Sequence, residues 1–159
     1  MKAATVQEIK TGLEELSSAQ VSALCLRLVK FKKENKELVT YMLFESGDQQ
    51  SYVNTLITEM EQAFGEINQS TLYLAKKSLR RLLREANKHI RYIGEKTAEV
   101  DLLMAWCRCL KQSGIPFQKS TALDNLYKAQ LKKVRKIIEG MHEDLQYDYS
   151  RALKKLSDQ

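Results

Sequence analysis

The chain of 159 residues has few of the residues that interrupt helices, proline and glycine. It has no apolar stretch long enough to cross a membrane. It contains one proline and six glycines, and long helices need both residues to be scarce in their interiors. No apolar run approaches the roughly 20 residues of a membrane span, and residues 1–8 show no apolar segment of a signal peptide. We therefore expect an all-α protein of the cytoplasm.

Cysteine and histidine are also scarce, and their spacing does not fit the common metal motifs. The odd number of cysteines, Cys25, Cys107 and Cys109, provides no second pair for a structural zinc site, and we expect all three to be buried in a reducing compartment. Glu139 and His142 have the spacing of one di-iron ligand step, but the second step that such sites need is missing. We expect no metal site, no cofactor and no enzyme activity.

The apolar pattern predicts helices throughout. Apolar residues recur at spacings of three and four, and the alternation typical of strands is absent. We predict six to seven helices, at about residues 5–15, 17–32, 38–44, 48–67, 70–93, 96–113 and 121–156. The second and third are apolar over most of their circumference, so we expect them at the centre of the fold. Trp106 is expected in the core.

The order of the helices indicates how they pack within a single domain, residues 1–159. Successive helices pair as antiparallel hairpins, which predicts a short HEAT-like α–α superhelix. The alternative is an irregular helical bundle, which the unequal helix lengths favour.

The last predicted helix is too long for a domain of this size. Its helical spacing runs unbroken from Thr121 to Leu156, about 54 Å at 1.5 Å per residue. A compact domain of this length is only about 39 Å across. Two outcomes are open: the helix bends near Gly140, or its end, residues 142–159, projects as a partner-binding or dimerising element.

Charge is the most informative feature for function. Residues 76–91 carry seven basic residues and one acidic residue, a net charge of +6 that equals the net charge of the whole chain. Residues 37–75 carry six acidic residues and no Lys or Arg. The basic residues lie about 200° from the apolar stripe of helix 70–93, on its solvent face, with Tyr73 and Tyr92 flanking them. The candidate binding residues are Lys77, Arg80, Arg81, Arg84, Lys88 and Arg91.

Two interpretations of this basic face are open. A row of cations on one helix suits the phosphates of a nucleic acid or another polyanion. The other interpretation is a solvated face that lies near the acidic fourth helix and is partly neutralised there. No helix-turn-helix, RNA-recognition or zinc-finger signature supports the first interpretation.

Two segments carry a resemblance. Residues 24–38, LCLRLVKFKKENKEL, and residues 141–149, MHEDLQYDY, together resemble a family of uncharacterised all-helical proteins from Bacteroidetes-type bacteria. The resemblance implies a bacterial cytoplasmic protein and brings no activity or site residues with it.

The leading hypothesis is a non-enzymatic interaction or scaffold protein that presents helical faces to a protein partner or to a second copy of itself. Nucleic-acid or polyanion binding through helix 70–93 is the alternative. An enzyme would need a deep polar pocket around His89 or His142, which no spacing in the sequence predicts. We expect no association with a membrane.

Overall fold

Most of the predicted helices agree with those of the structure, a computed structural model that describes residues 2–157. The third, predicted at about residues 38–44, is found at Lys33–Thr40, and the last predicted helix is divided into two. The all-α fold is confirmed, and no strand occurs among the described residues. The helices are α1 (Val6–Glu14), α2 (Ser18–Phe31), α3 (Lys33–Thr40), α4 (Gln49–Gly65), α5 (Leu72–Ile93), α6 (Lys96–Gln112), α7 (Thr121–Glu139) and α8 (Glu143–Ser157).

Contacts between Cα atoms divide the chain into two compact units, which we call unit 1 (residues 1–45) and unit 2 (residues 46–159). Unit 1 contains α1 to α3 and a π-helical turn, Tyr41–Glu45. Unit 2 begins with a 3-10 turn, Ser46–Asp48, and contains α4 to α8. The expectation that residues 1–159 form a single domain stays a prediction.

In unit 1 the helices are well capped but poorly buried. Thr5 and Glu8 form a capping box at the start of α1, and Ser17 and Gln20 form another at the start of α2. Yet α1, α2 and α3 contain no buried residue. The prediction that the second and third helices lie at the centre of the fold is wrong. Their apolar circumference indicates that they need a partner, but it does not say which one.

The core of unit 2 is built around α6. This helix contacts α4, α5, α7 and α8, and ten of its residues are buried. Trp106 is completely buried, as predicted, with its ring edge-on to Phe64 at a centroid distance of 6.3 Å. The central hydrophobic helix is therefore the sixth, and the HEAT-like stacking of hairpins stays a prediction.

The last predicted helix is two helices. α7 ends at Glu139, Gly140 follows as its C-cap, and α8 begins at Glu143. α8 packs back against α6 and α7, and the hydroxyl of Tyr127 donates to the carbonyl oxygen of Leu156 at 2.9 Å. The alternative in which residues 142–159 project is therefore wrong for residues 143–157, because the chain turns at Gly140. Asp158 and Gln159 lie outside the described residues.

Candidate functional site: the basic face of α5 and the apolar surface of unit 1

The amphipathic character of α5 fixes which side chains face water. The hydroxyl of Thr71 accepts a hydrogen bond from the Leu74 N–H at the start of the helix. Gly94, in the left-handed conformation with φ 74°, ends it by donating to the carbonyl of Ile90. Seven apolar residues between these caps are buried: Ala75, Leu79, Leu82, Leu83, Ala86, Ile90 and Ile93.

Five of the six predicted residues of the basic face are exposed, as their spacing predicts. They are Lys77, Arg80, Arg81, Arg84 and Arg91. The sixth residue, Lys88, differs from them. Its side chain is only 16% exposed, and its ammonium group lies 2.7 Å from the carboxylate of Glu85. The charge of Lys88 is therefore partly balanced by Glu85 of the same helix. The exposed face consists of the other five cations.

The five exposed cations form no ion pair with the acidic fourth helix in the part of the chain that the structure describes. Among the described residues, no carboxylate lies within ion-pair distance of the five exposed cations. Glu61 of α4 instead pairs with Arg108 of α6 at 3.3 Å. Tyr73, one turn before Lys77, is also exposed, whereas Tyr92 is half-buried beside the ring of His89. The face therefore presents five cations and one aromatic ring to solvent.

His89 is held in a small, largely apolar pocket of unit 2. Its Nδ1 lies 2.8 Å from the hydroxyl of Tyr52, and the ring of Tyr92 stands edge-on at 5.6 Å. The pocket has a volume of about 200 Å³, and Glu59 and Glu85 are the carboxylates among its lining residues. Its apolar walls and small volume suit side-chain packing more than a substrate.

His142 and the cysteines do not assemble a site. His142 lies in the turn between α7 and α8, so it does not share a helical face with Glu139. Cys107 and Cys109 are buried, and burial raises the pKa of Cys107 to about 12. Cys25 is exposed, so the prediction that it is buried is wrong. Within residues 2–157 no group of three or more His, Cys, Asp or Glu residues is arranged to hold a metal ion.

One groove of unit 2 is not predicted by the sequence. It has a volume of about 940 Å³ and runs along α7 beside the loop that holds Ile115 and Phe117. Lys128, Lys132 and Arg135 line it at spacings of four and three, which is the sequence signal that points to it. Lys128 pairs with Asp124 at 2.6 Å, and the groove's two aromatic rings, Phe117 and Tyr127, are buried rather than open to a ligand.

Unit 1 presents the most unusual surface among the described residues. Nine large apolar side chains of this unit are exposed, and we call them the apolar surface of unit 1. In α2, Leu24 is 40%, Leu28 50% and Phe31 77% exposed. The complete set is Val6, Ile9, Leu24, Leu26, Leu28, Phe31, Met42, Leu43 and Phe44. By their spacing, Leu24, Leu28 and Phe31 lie on one face of α2, and an exposed apolar face of this kind is typical of an interaction site.

Comparisons of the chain with protein-family models, with curated proteins and with solved structures found no match. The resemblance to a Bacteroidetes-type family therefore stays a prediction, and the two surfaces described above are the features that bear on function. Among the described helices, none combines the length and hydropathy that crossing a bilayer requires.

Proposed function

We propose that this chain is a non-enzymatic interaction protein that binds a protein partner through the apolar surface of unit 1. One observation carries the proposal: α2 exposes Leu24, Leu28 and Phe31, while α1, α2 and α3 bury no residue at all. The same proposal includes a role as a scaffold and a location in the bacterial cytoplasm. Stacked helix hairpins of the HEAT-like kind would suit it because they present helical faces to partners.

The exposed apolar side chains of unit 1 do not gain the free energy that their burial would provide. Burial of apolar area stabilises by about 25 cal/mol per Å², and an aromatic side chain offers 150–250 Å². Phe31 and Phe44, each about three-quarters exposed, leave most of that stabilisation unused. A unit of about 45 residues buries only a small share of its own surface, so its stability is marginal and further contacts stabilise it. Docking onto a partner provides those contacts.

Site-specific photocrosslinking in living cells tests the proposal. A photoreactive amino acid replaces Leu28 in one variant and Tyr147, an exposed residue of α8 in unit 2, in the control. We expect a discrete crosslinked product from position 28 and none from position 147. The product should disappear when Leu24→Asp is added, because the charge disrupts the apolar surface. Identical products from both positions would contradict the proposal.

Polyanion binding is the second candidate, and a separate observation favours it. Lys77, Arg80, Arg81, Arg84 and Arg91 are exposed and have no carboxylate partner among the described residues. They lie on one face of α5 and span about 21 Å along its axis at 1.5 Å per residue. This length suits several consecutive phosphates of a nucleic acid.

Binding to labelled single- and double-stranded nucleic acid across a salt series tests the second candidate. If several of the five cations neutralise phosphates, the log–log slope of affinity against salt should be about −3 to −5. Arg81→Glu with Arg84→Glu should abolish binding. Lys154→Glu with Lys155→Glu changes the net charge equally on exposed positions of α8 and should have little effect. Absence of binding at low salt would leave the basic face as a solvated surface.

A further inference from the structure

We propose that the partner of unit 1 is a second copy of this chain, with the two α2 helices packed antiparallel about a two-fold axis. This inference rests on the function proposed above and specifies its partner. Three features of α2 and its flanks carry it: an apolar stripe, a separation of charge along the helix, and the position of Cys25.

The apolar stripe has the spacing that a helix pair requires. Val21, Leu24, Leu28 and Phe31 follow one another at intervals of three, four and three, so at 100° per residue they lie within about 80° of one face. Leu24, Leu28 and Phe31 are exposed along this face. A second helix of the same sequence offers the same stripe, so side chains of each copy fit between those of the other.

Charge is separated along the axis of α2. The helix contains no acidic residue, but the exposed Glu14 and Glu15 lie just before its N-terminal end. Lys30, Lys32 and Lys33 lie at its other end and are exposed as well, and of these Lys33 is paired with Glu37 at 3.6 Å. The helix is about 21 Å long at 1.5 Å per residue, so the two charged ends are separated by more than the screening length of about 8 Å.

This separation makes α2 complementary to itself only in the antiparallel orientation. Two copies related by a two-fold axis perpendicular to α2 place the acidic end of each beside the basic end of the other. A parallel pair would place like charges together, which costs free energy. The helix dipoles favour the same antiparallel orientation. The charge pattern therefore selects a second copy, and it sets the direction of that copy.

Crosslinking of Cys25 can measure how closely the two α2 helices approach each other. It lies at the middle of α2, next to the apolar stripe, and it is exposed. In a two-fold pair centred on the helix, the two Cys25 residues come to the same crossing point, where helix axes lie about 8–10 Å apart. Cys107 and Cys109 are buried and do not compete for a thiol reagent.

Sedimentation velocity of the full chain over a thousandfold concentration range gives the first test. We expect a monomer–dimer equilibrium in the micromolar range. Leu28→Asp should weaken dimerisation at least tenfold, and Tyr147→Asp, on an exposed position of α8, should leave it unchanged. Circular dichroism and the fluorescence of Trp106 establish that each variant is folded.

A charge-exchange experiment tests the antiparallel orientation. Glu14→Lys with Glu15→Lys in one variant, and Lys30→Glu with Lys32→Glu in another, should each weaken self-association. An equimolar mixture should recover the dimer, since opposite charges then meet across the interface. A short bis-maleimide should join Cys25 to Cys25 in the native chain and in the mixture, but not in Leu28→Asp.

The outcomes separate this inference from the proposed function. A monomer at every concentration, without a Cys25–Cys25 product, overturns the self-pairing. If photocrosslinking at position 28 then gives a product with a different protein, the proposed function stands. A product formed at position 28 only within one chain overturns both, because the apolar surface would then be covered by the same molecule. Failure of the charge-exchanged mixture to recover the dimer overturns the antiparallel orientation.

Discussion

The indole nitrogen of Trp106 donates a hydrogen bond to the backbone carbonyl oxygen of Leu79 at 3.3 Å, and both residues are completely buried. The bond joins α6, the central helix of unit 2, to α5, which carries the basic face. The orientation of the five exposed cations therefore depends on how α5 is fixed to the core.

Trp106→Phe should destabilise unit 2 by about 1–3 kcal/mol, because it removes this hydrogen bond and leaves a partly filled space beside Phe64. Urea unfolding followed by circular dichroism measures the change. Tyr147→Phe, at an exposed position, is the matched aromatic control and should change stability by less than about 0.5 kcal/mol. Equal effects of the two substitutions would contradict the assignment of Trp106 to the core.

Asp101 should make unit 2 less stable at neutral pH than at mildly acidic pH. Burial raises the pKa of its carboxyl group, while a hydrogen bond from Tyr149 acts in the opposite direction. Because the folded pKa is higher than the unfolded one, the stabilising contribution is complete below the unfolded pKa. It is lost as the pH rises through the folded pKa.

Asp101→Asn keeps an acceptor for Tyr149 and removes the charge. We therefore expect this variant to be more stable than the native chain at pH 7, with the difference shrinking toward pH 4. Urea unfolding at several pH values measures that difference. Asp148→Asn, at an exposed position of α8, is the control. A difference that does not change with pH would show that the carboxylate of Asp101 is not destabilised by burial.

The three thiols should react at very different rates in the folded chain. Cys25 is exposed, whereas Cys107 is completely buried and burial raises its pKa to about 12. Since the thiolate is the reactive form, iodoacetamide at pH 8 and low protein concentration should label Cys25 first. Mass spectrometry of peptides measures the labelling, and urea should equalise the three rates. Rapid labelling of Cys107 in the native chain would contradict the described packing of α6.

Two glycines form a matched pair for a test of backbone conformation. Gly94 has φ 74°, a conformation that costs an L-residue about 1 kcal/mol, so Gly94→Ala should destabilise by about that amount. Gly65 is the last residue of α4 and has no atom near an added Cβ, so Gly65→Ala should be neutral or stabilising. Thermal unfolding of both variants gives the comparison. Equal destabilisation would mean that φ at Gly94 is not the cause.

Local sequence signals predicted the helices and the solvent face of α5 well. Caps and helical spacing are properties of neighbouring residues, and the N-terminal caps Ser17 and Asp48 stand where the predicted helices 17–32 and 48–67 begin. The exposure of Lys77 and Arg81 follows from their angle to the buried stripe. Partial burial of Lys88 was not predictable in this way, because it depends on what surrounds the helix in three dimensions.

The errors concern contacts between distant segments. The apolar circumference of α2 predicted burial for Leu24 and Cys25, but periodicity does not identify the surface that covers a helix. The helical spacing of apolar residues continues through Gly140, so the sequence leaves open whether the chain bends there or continues straight, and the structure shows a turn. The groove beside α7 includes Leu156 and Ser157 of α8, which reach it because the chain turns after α7.

The hydrogen bonds that hold the end of α8 to α6 and α7 should affect its amide hydrogen exchange. Lys111 of α6 donates to the carbonyl oxygens of Lys155 and Leu156, and Tyr127 of α7 donates to Leu156 as well. The last turn of a helix ordinarily frays and exchanges its amides quickly. In α8, opening the last turn breaks its hydrogen bonds to Lys111 of α6 and Tyr127 of α7. The amides of α8 should therefore exchange together with those of α6 and α7, as part of one cooperative opening unit.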